Sequence, residues 1–320
     1  MYKWNSKFID IIWTFGYRIF VLCFLLMIIL WIEHIVSIWY NTNPRIIVLI
    51  IVLILWLWAY FSLHTKVTNL TIETSKVYKD TKILLVSDIH TEYITSTYHI
   101  NKIKKMIETE KPDFTIIAWD LLNKSNIGYA EYFKDFKPNY DSLVFAVIWN
   151  HDVMSNIEAI KKVSDESGIT FLNNKTVTYW NWVTHLNWCE ISNFDNCSWM
   201  VQIIWLIDKT LWWSNTLDQN LKDAGVDKLN DDNFNILVTH QPISLEKLKD
   251  YPIDLEVAWH THRGQFYWMR KVVEWVNDYA YWEYKLWDKI AFITQWIWTW
   301  WLPFRLWTQS EIVIINLIRK

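Results

Sequence analysis

Hydrophobic and polar positions divide the chain into two regimes. Residues 46–63, IIVLIIVLILWLWAYFSL, carry no charge. About 20 apolar residues cross the hydrocarbon core of a bilayer, so this run is long enough to span one. An earlier apolar run, Ile19–Ile32, is bracketed by Arg18 and Glu33. It extends back toward Ile11 if Arg18 snorkels to the interface. The pattern predicts a hairpin of two transmembrane helices within residues 1–66, turning near Asn41-Thr42-Asn43-Pro44. A cleaved signal peptide is the rival, weakened by the second long run and by the lack of a small-residue cleavage pattern. Two buried core helices are the other alternative. Lys3, Lys7 and Arg18 precede the first run, Arg45 lies between the two, and Lys66, Lys76, Lys79 and Lys82 follow the second. Both outer ends are more basic than the turn, which predicts that the remainder of the chain faces the cytoplasm.

From residue 67 to 81 the sequence is polar and reads as a linker or an edge strand. A rhythm begins at residue 82. Short apolar, β-rich runs occur at Ile83–Val86, Phe114–Ala118, Leu143–Ile148, Ile236–Val238 and Leu255–Ala258. Helical spacing appears in His99–Glu110, through Ile100, Ile103, Met106 and Ile107, and again in Val153–Ser167. Lys111-Pro112-Asp113 stops the first of these helices. The alternation predicts an α/β domain over residues 82–320, with strands buried on both faces. The part from Tyr267 onward reads as further strands and turns.

Composition removes several classes of function. The 31 basic and 34 acidic residues give a net charge of -3, and no basic stripe announces nucleic acid. Cys23, Cys189 and Cys197 form no CxxC pair. They read as buried free thiols rather than as a Cys189–Cys197 bridge, which fits a reducing compartment.

Each of the five apolar runs ends in residues able to bind metal: Asp88 and His90, Asp120, Asn150-His151-Asp152, His240, and His260-Thr261-His262. In open α/β sheets, ligands bind beyond the carboxyl ends of the strands. A single histidine in such a place is ordinarily a surface or core residue, but five of the chain's nine histidines fall at these ends. Carboxylate with imidazole suits Mn, Fe, Zn or Ni rather than calcium. In DxH and HxH the alternate side chains of an extended segment point the same way, so each pair can grip one ion. Two such groups and a shared carboxylate make a two-metal site, which stabilises the attacking and leaving oxygens of a phosphoryl displacement.

This set resembles the calcineurin-like metallophosphoesterase family over roughly residues 82–315. With the apolar N-terminus and the tail TQWIWTWWLPFRLW at 294–307, the chain looks like the family's membrane-attached bacterial subgroup. The resemblance implies a four-layer sandwich of two mixed β-sheets flanked by helices. It implies two divalent metal ions, one held by Asp88, His90 and His262 and the other by Asn150, His240 and His260, with Asp120 bridging. A metal-bridging hydroxide would attack phosphorus, and His151 would steady the phosphoryl group and protonate the leaving oxygen. The substrate would be a phosphorylated small molecule or lipid: a phosphate monoester, a diester or a diphosphate. Where the family commonly has a second acid, three residues after the bridging aspartate, this chain has Asn123. Arg263 follows the HxH pair, where small residues are common; it either clamps a substrate phosphate or is a solvated loop arginine. A catalytically silent membrane scaffold is the alternative function, and a zinc amide hydrolase a weak third, disfavoured by Asn150 and the dinuclear pattern.

The family places glycine directly before three of these motifs, at the positions of Trp119, Trp149 and Trp259. The chain has 25 Trp and 5 Gly, whereas ordinary usage of about 7% would give roughly 22 Gly. Decay of an enzyme would also strike the ligands, which are intact, and an aromatic substrate rim would not deplete glycine throughout. A gene that uses UGA for glycine, translated with tryptophan at UGA, gives this pattern. The expectation is therefore glycine at these three positions in the chain the cell makes, and a chain carrying tryptophan there that is poorly folded or inactive.

Overall fold

The computed structural model describes residues 26–27, 30–31, 34–35, 44–87, 89, 96–118, 133, 136, 142–147, 163, 166–172, 176–179, 200–206, 216–259, 270–276, 279–295 and 309–320. Its first long element is helix α1, Pro44–Leu63. One residue, His64, separates it from strand β1, Thr65–Thr74. Thr68, Leu70 and Ile72 of β1 are buried and their neighbours are not, the period-2 signature of a strand covered on one face.

Two mixed sheets follow. The first has the order β1-β12-β2-β3-β4-β5, with β2 at Thr81–Ser87, β3 at Phe114–Ala118, β4 at Leu143–Val147, β5 at Ile169–Leu172 and β12 at Ser310–Arg319. Strands β2 to β5 run parallel, while β12 opposes β2 and β1 runs parallel to β12. The second has the order β10-β11-β9-β8-β7-β6. Its strands are β6 at Thr176–Tyr179, β7 at Val201–Trp205, β8 at Phe234–Val238, β9 at Leu255–Ala258, β10 at Trp282–Leu286 and β11 at Lys289–Ile293. Strands β7, β8, β9 and β11 are parallel, with antiparallel edges at β6 and β10.

Alternate residues of the central strands face opposite layers. Ile83, Leu85, Ile116 and Phe145 of the first sheet meet Ile203, Ile236, Val238 and Val257 of the second in one inner core. On the outer face of the first sheet, Leu84, Val86, Ile117 and Ala146 pack under Ile100, Ile103 and Ile107 of helix α2, Ser96–Glu110. Lys111, at φ 47, closes that helix in a left-handed cap, its N–H bonding Ile107 O at 3.0 Å, and Pro112 prevents continuation. The second sheet's outer face, Ile204, Leu237 and Ala291, is covered by Leu221, Val226, Leu245 and Leu248. These come from α3, Leu217–Asp223, and two 3₁₀ turns. A further helix, α4, spans Arg270–Val276.

Among the described residues no helix is long and apolar enough to cross a membrane. The predicted hairpin is therefore not confirmed. Most of its first helix lies outside the described residues, and α1, continuous in backbone, has side chains described at only some positions. The three cysteines also lie outside them, as does Val153–Ser167 save for helical residues at 163, 166 and 167.

Candidate metal centre

Parallel pairing brings the carboxyl ends of the five predicted runs to one rim. In the first sheet Ser87 pairs with Ala118, and Ile117 with Ala146. In the second, the ladder continues past the strands: Thr239 N–H bonds Val257 O at 3.0 Å, Trp259 N–H bonds His240 O at 3.2 Å, and Thr294 N–H bonds Ala258 O at 2.9 Å.

Glu311 joins the two sheets at this rim. It lies in β12, where continuing the antiparallel register sets it opposite Ser87. Its Oε1 accepts from Thr68 Oγ1 at 2.6 Å and Tyr281 Oη at 3.2 Å; its Oε2 accepts from Thr294 Oγ1 at 3.0 Å and Gln295 N–H at 2.9 Å. The partners come from β1 in one sheet and from the ends of β10 and β11 in the other. The opposite rim is pinned by Lys76, which bonds Asp254 at 2.8 Å, just before β9, and Asp231 at 3.2 Å. The carboxyl ends of both parallel strand sets thus share a side of the molecule.

Of the predicted site residues, His240 is described. It is buried, 7% exposed, two residues beyond β8. Asp88, His90, Asp120, Asn150, His151, His260, His262 and Arg263 lie outside the described residues, as do Trp119 and Trp149. Among the described residues no group of three or more His, Cys, Asp or Glu side chains could hold a metal ion. The donor chemistry still fits divalent metal: His240 is held at a rim where the other four runs lead, in sequence, to Asp88 and His90, to Asp120, to Asn150-His151-Asp152, and to His260 and His262, a mixture of carboxylate and imidazole.

Trp259, at a predicted glycine position, is fully buried. Its ring stands edge-on to the His240 imidazole, with centroids 5.9 Å apart and planes at 74°. An indole therefore occupies space directly beside the candidate ligand.

Two carboxylates outside the predicted ligand set carry weight here. Glu311 has no local signal, being one acid at the start of an apolar strand. Glu256 has one, since a charge interrupts the buried run Leu255–Ala258. Its Oε1 accepts from Thr239 Oγ1 at 3.0 Å and Ile243 N–H at 2.6 Å, so it fastens the segment that carries His240. Burial pushes its carboxyl up to about 8, against the opposing pull of those two hydrogen bonds. A raised acid gives the folded state the extra proton between its unfolded value of 4.5 and about 8. Its stabilising contribution is complete below 4.5 and is lost as pH rises through 8. Glu256→Gln is expected to flatten the fall in stability across this window, whose slope approaches ~1.4 kcal/mol per pH unit. Melting curves of both proteins between pH 5 and pH 8 check it; parallel profiles would refute it.

A family model described as calcineurin-like phosphoesterase matches residues 81–264. An uncharacterized metallophosphoesterase of Helicobacter pylori and one of Campylobacter jejuni are each 25% identical over 262 residues, 80% of this chain and 64% of theirs. One of Bacillus subtilis is 26% identical over 204 residues, 59% of this chain and 64% of its own. The chain thus spans less than two thirds of the length of these relatives. The matched family segment runs from the first residue of β2 past the end of β9, more than half of the 320 residues, and the chain belongs to the calcineurin-like phosphoesterase family.

Proposed function

We propose that the chain is a membrane-anchored, dinuclear metal-dependent phosphoesterase acting on phosphate mono- or diesters or diphosphates, lipid-linked ones among them. Its domain faces the cytoplasm, and glycine replaces Trp119, Trp149 and Trp259 in the working form. One observation carries this reading: the five strand ends that precede the candidate ligands lie on one rim, with Glu311 tying the two sheets there.

In this reading Asp88, His90 and His262 hold one ion, Asn150, His240 and His260 the other, and Asp120 both. Bound divalent ions supply an activated water and neutralise charge that develops on phosphorus. His151 delivers a proton to the leaving oxygen, a task suited to an imidazole near neutral pH. Arg263 would offer two N–H donors to phosphate oxygens.

The second reading, a silent membrane scaffold, is favoured by the indole packed edge-on against His240. Elemental analysis separates the two. The chain with glycine at 119, 149 and 259 is expected to carry about two ions, and His240→Ala to lose at least one together with activity. Chelation should abolish hydrolysis and manganese restore it. A chain that binds none would be a scaffold.

A further inference from the structure

The foot of helix α1 and the strand ends that precede the candidate ligands share one rim. Large apolar side chains of α1 stand in the open: Ile46 at 56% exposure, Leu49 at 67%, Val52 at 56% and Leu53 at 53%. From Val48 on one flank to Ile54 on the other, the exposed positions sweep ~240° of the helix at 3.6 residues per turn. A single protein groove accepts an apolar stripe of about 100°, so an arc this wide suits lipid. No α1 side chain joins the three apolar clusters of the domain among the described residues.

The helix ends at an interface-like sequence. Tyr60 stacks on His64 with centroids 3.8 Å apart, and His64 N–H bonds Tyr60 O at 2.9 Å, making the junction to β1 a short, ordered one. Lys66 follows, and Tyr with Lys is the composition that settles at headgroup level. Strand β1 starts at Thr65, opposite Ser310. Glu311, the next residue of β12, faces Ser87, the last residue of β2. Two strand spacings, roughly 10 Å, therefore separate the foot of the helix from the strand end that precedes Asp88. The far end of β1, Thr74, lies at the opposite rim.

We propose that the bilayer receiving α1 lies against the rim on which the metal centre opens, so that the substrate is a phosphoester carried on a lipid and met at headgroup depth. The orientation rests on the topology of β1, β12 and β2, whereas the substrate class also rests on the phosphoesterase reading.

Two arms test these separately. The full chain, its three cysteines changed to serine, is labelled with bimane at Lys66→Cys or Lys320→Cys and reconstituted with lipids bearing headgroup nitroxides. Quenching at Lys66→Cys and none at Lys320→Cys, which lies at the opposite rim beside Thr74, is expected. Equal quenching, no quenching at Lys66→Cys, or a chain that stays off vesicles and self-associates through α1 overturns the orientation. In the second arm, the chain with glycine at 119, 149 and 259 is given two p-nitrophenyl phosphodiesters with manganese, one methyl-capped in solution and one with a diacylglycerol tail in phosphatidylcholine vesicles. Surface confinement should favour the lipid ester by at least about tenfold, and a flexible 12-residue Gly/Ser spacer after His64, spanning ~19 Å, should abolish the preference. Equal rates without the spacer overturn the lipid assignment. Failure to hydrolyse either ester counts against the phosphoesterase reading and leaves the quenching arm to decide the orientation.

Discussion

Replacing Trp119, Trp149 and Trp259 together by glycine is expected to raise manganese-dependent phosphodiesterase activity by at least ~10²-fold, the scale set by small misplacements of catalytic groups. Trp259 directly follows β9. Its indole is fully buried and packs edge-on to the His240 imidazole. A backbone bond joins the two residues just past the ends of adjacent strands β8 and β9, Trp259 N–H to His240 O at 3.2 Å, so neither can retreat without breaking it. Glycine there would clear the space and allow the backbone to approach an ion closely. Other tryptophans point the same way. Among the described residues three non-glycine residues have positive φ: Lys111, Trp282 at 82° and Trp287 at 56°. Trp287 occupies the first position of the two-residue loop between β10 and β11, where φ above zero calls for glycine. Left-handed backbone costs an L-residue roughly 1–2 kcal/mol. Trp205 closes β7 fully buried, its indole N–H without a hydrogen-bond partner among the described residues, although a buried indole N–H ordinarily has one.

Stability gives the same substitution a second, opposed readout. Truncating a native buried tryptophan costs about 3–5 kcal/mol. If tryptophan is native at 259, Trp259→Gly should lower the melting temperature sharply. If glycine is native, the melting temperature should hold or rise, and Trp287→Gly should add ~1 kcal/mol after the entropy of an unfolded glycine is deducted. The codons provide an independent test, because UGG at 119, 149 and 259 rules out recoding. Unchanged activity in the triple variant would refute the activity claim whatever the codons are.

The strands that lead to the candidate ligands were legible because each is an apolar run cut off by polar, metal-binding residues. Phe114–Ala118 and Leu255–Ala258 coincide with β3 and β9. Strand β1 was ambiguous because only Thr68, Leu70 and Ile72 turn inward, and an alternating strand with lysine and asparagine outside looks like a linker until its partner is known. That partner, β12, lies more than 230 residues away in sequence. The β10–β11 hairpin gave no turn signal because its first loop position is Trp287 rather than glycine, and β7 ends at Trp205 inside a tryptophan-dense stretch. The buried carboxylates show a different limit. Glu256 was at least anomalous where it stood, inside a run of apolar residues. Glu311 gathers donors from Thr68, Tyr281, Thr294 and Gln295, and no periodicity in one segment can foretell a meeting of four.

The meeting at Glu311 leads to the second large effect. Glu311→Ala removes the acceptor of two buried hydroxyls and a backbone N–H, all at 3.0 Å or less, with Tyr281 Oη at 3.2 Å. Buried donors without partners cost roughly 1–3 kcal/mol each, and hydroxyls can partly re-aim, so a loss of ~3–5 kcal/mol is expected. At about 2–4 °C per kcal/mol this lowers the melting temperature by some 6–20 °C. Glu311→Gln is the sharper instrument. Its amide keeps the volume and one acceptor oxygen, so the fold should survive with a smaller loss. The two sheets would no longer be drawn together at the rim by both carboxylate oxygens, and under the proposed two-metal function that spacing would set His240 against the ligands of the first sheet. In the chain with glycine at 119, 149 and 259, Glu311→Gln should therefore weaken metal affinity by ~10–100-fold, the range typical of groups that orient metal ligands from behind. Metal titration followed by calorimetry reads this independently of stability. A Glu311→Gln protein with lowered melting temperature but unaltered metal affinity would reduce Glu311 to a stabilising contact, and the spacing of the sheets would then have to be set by the inner core alone.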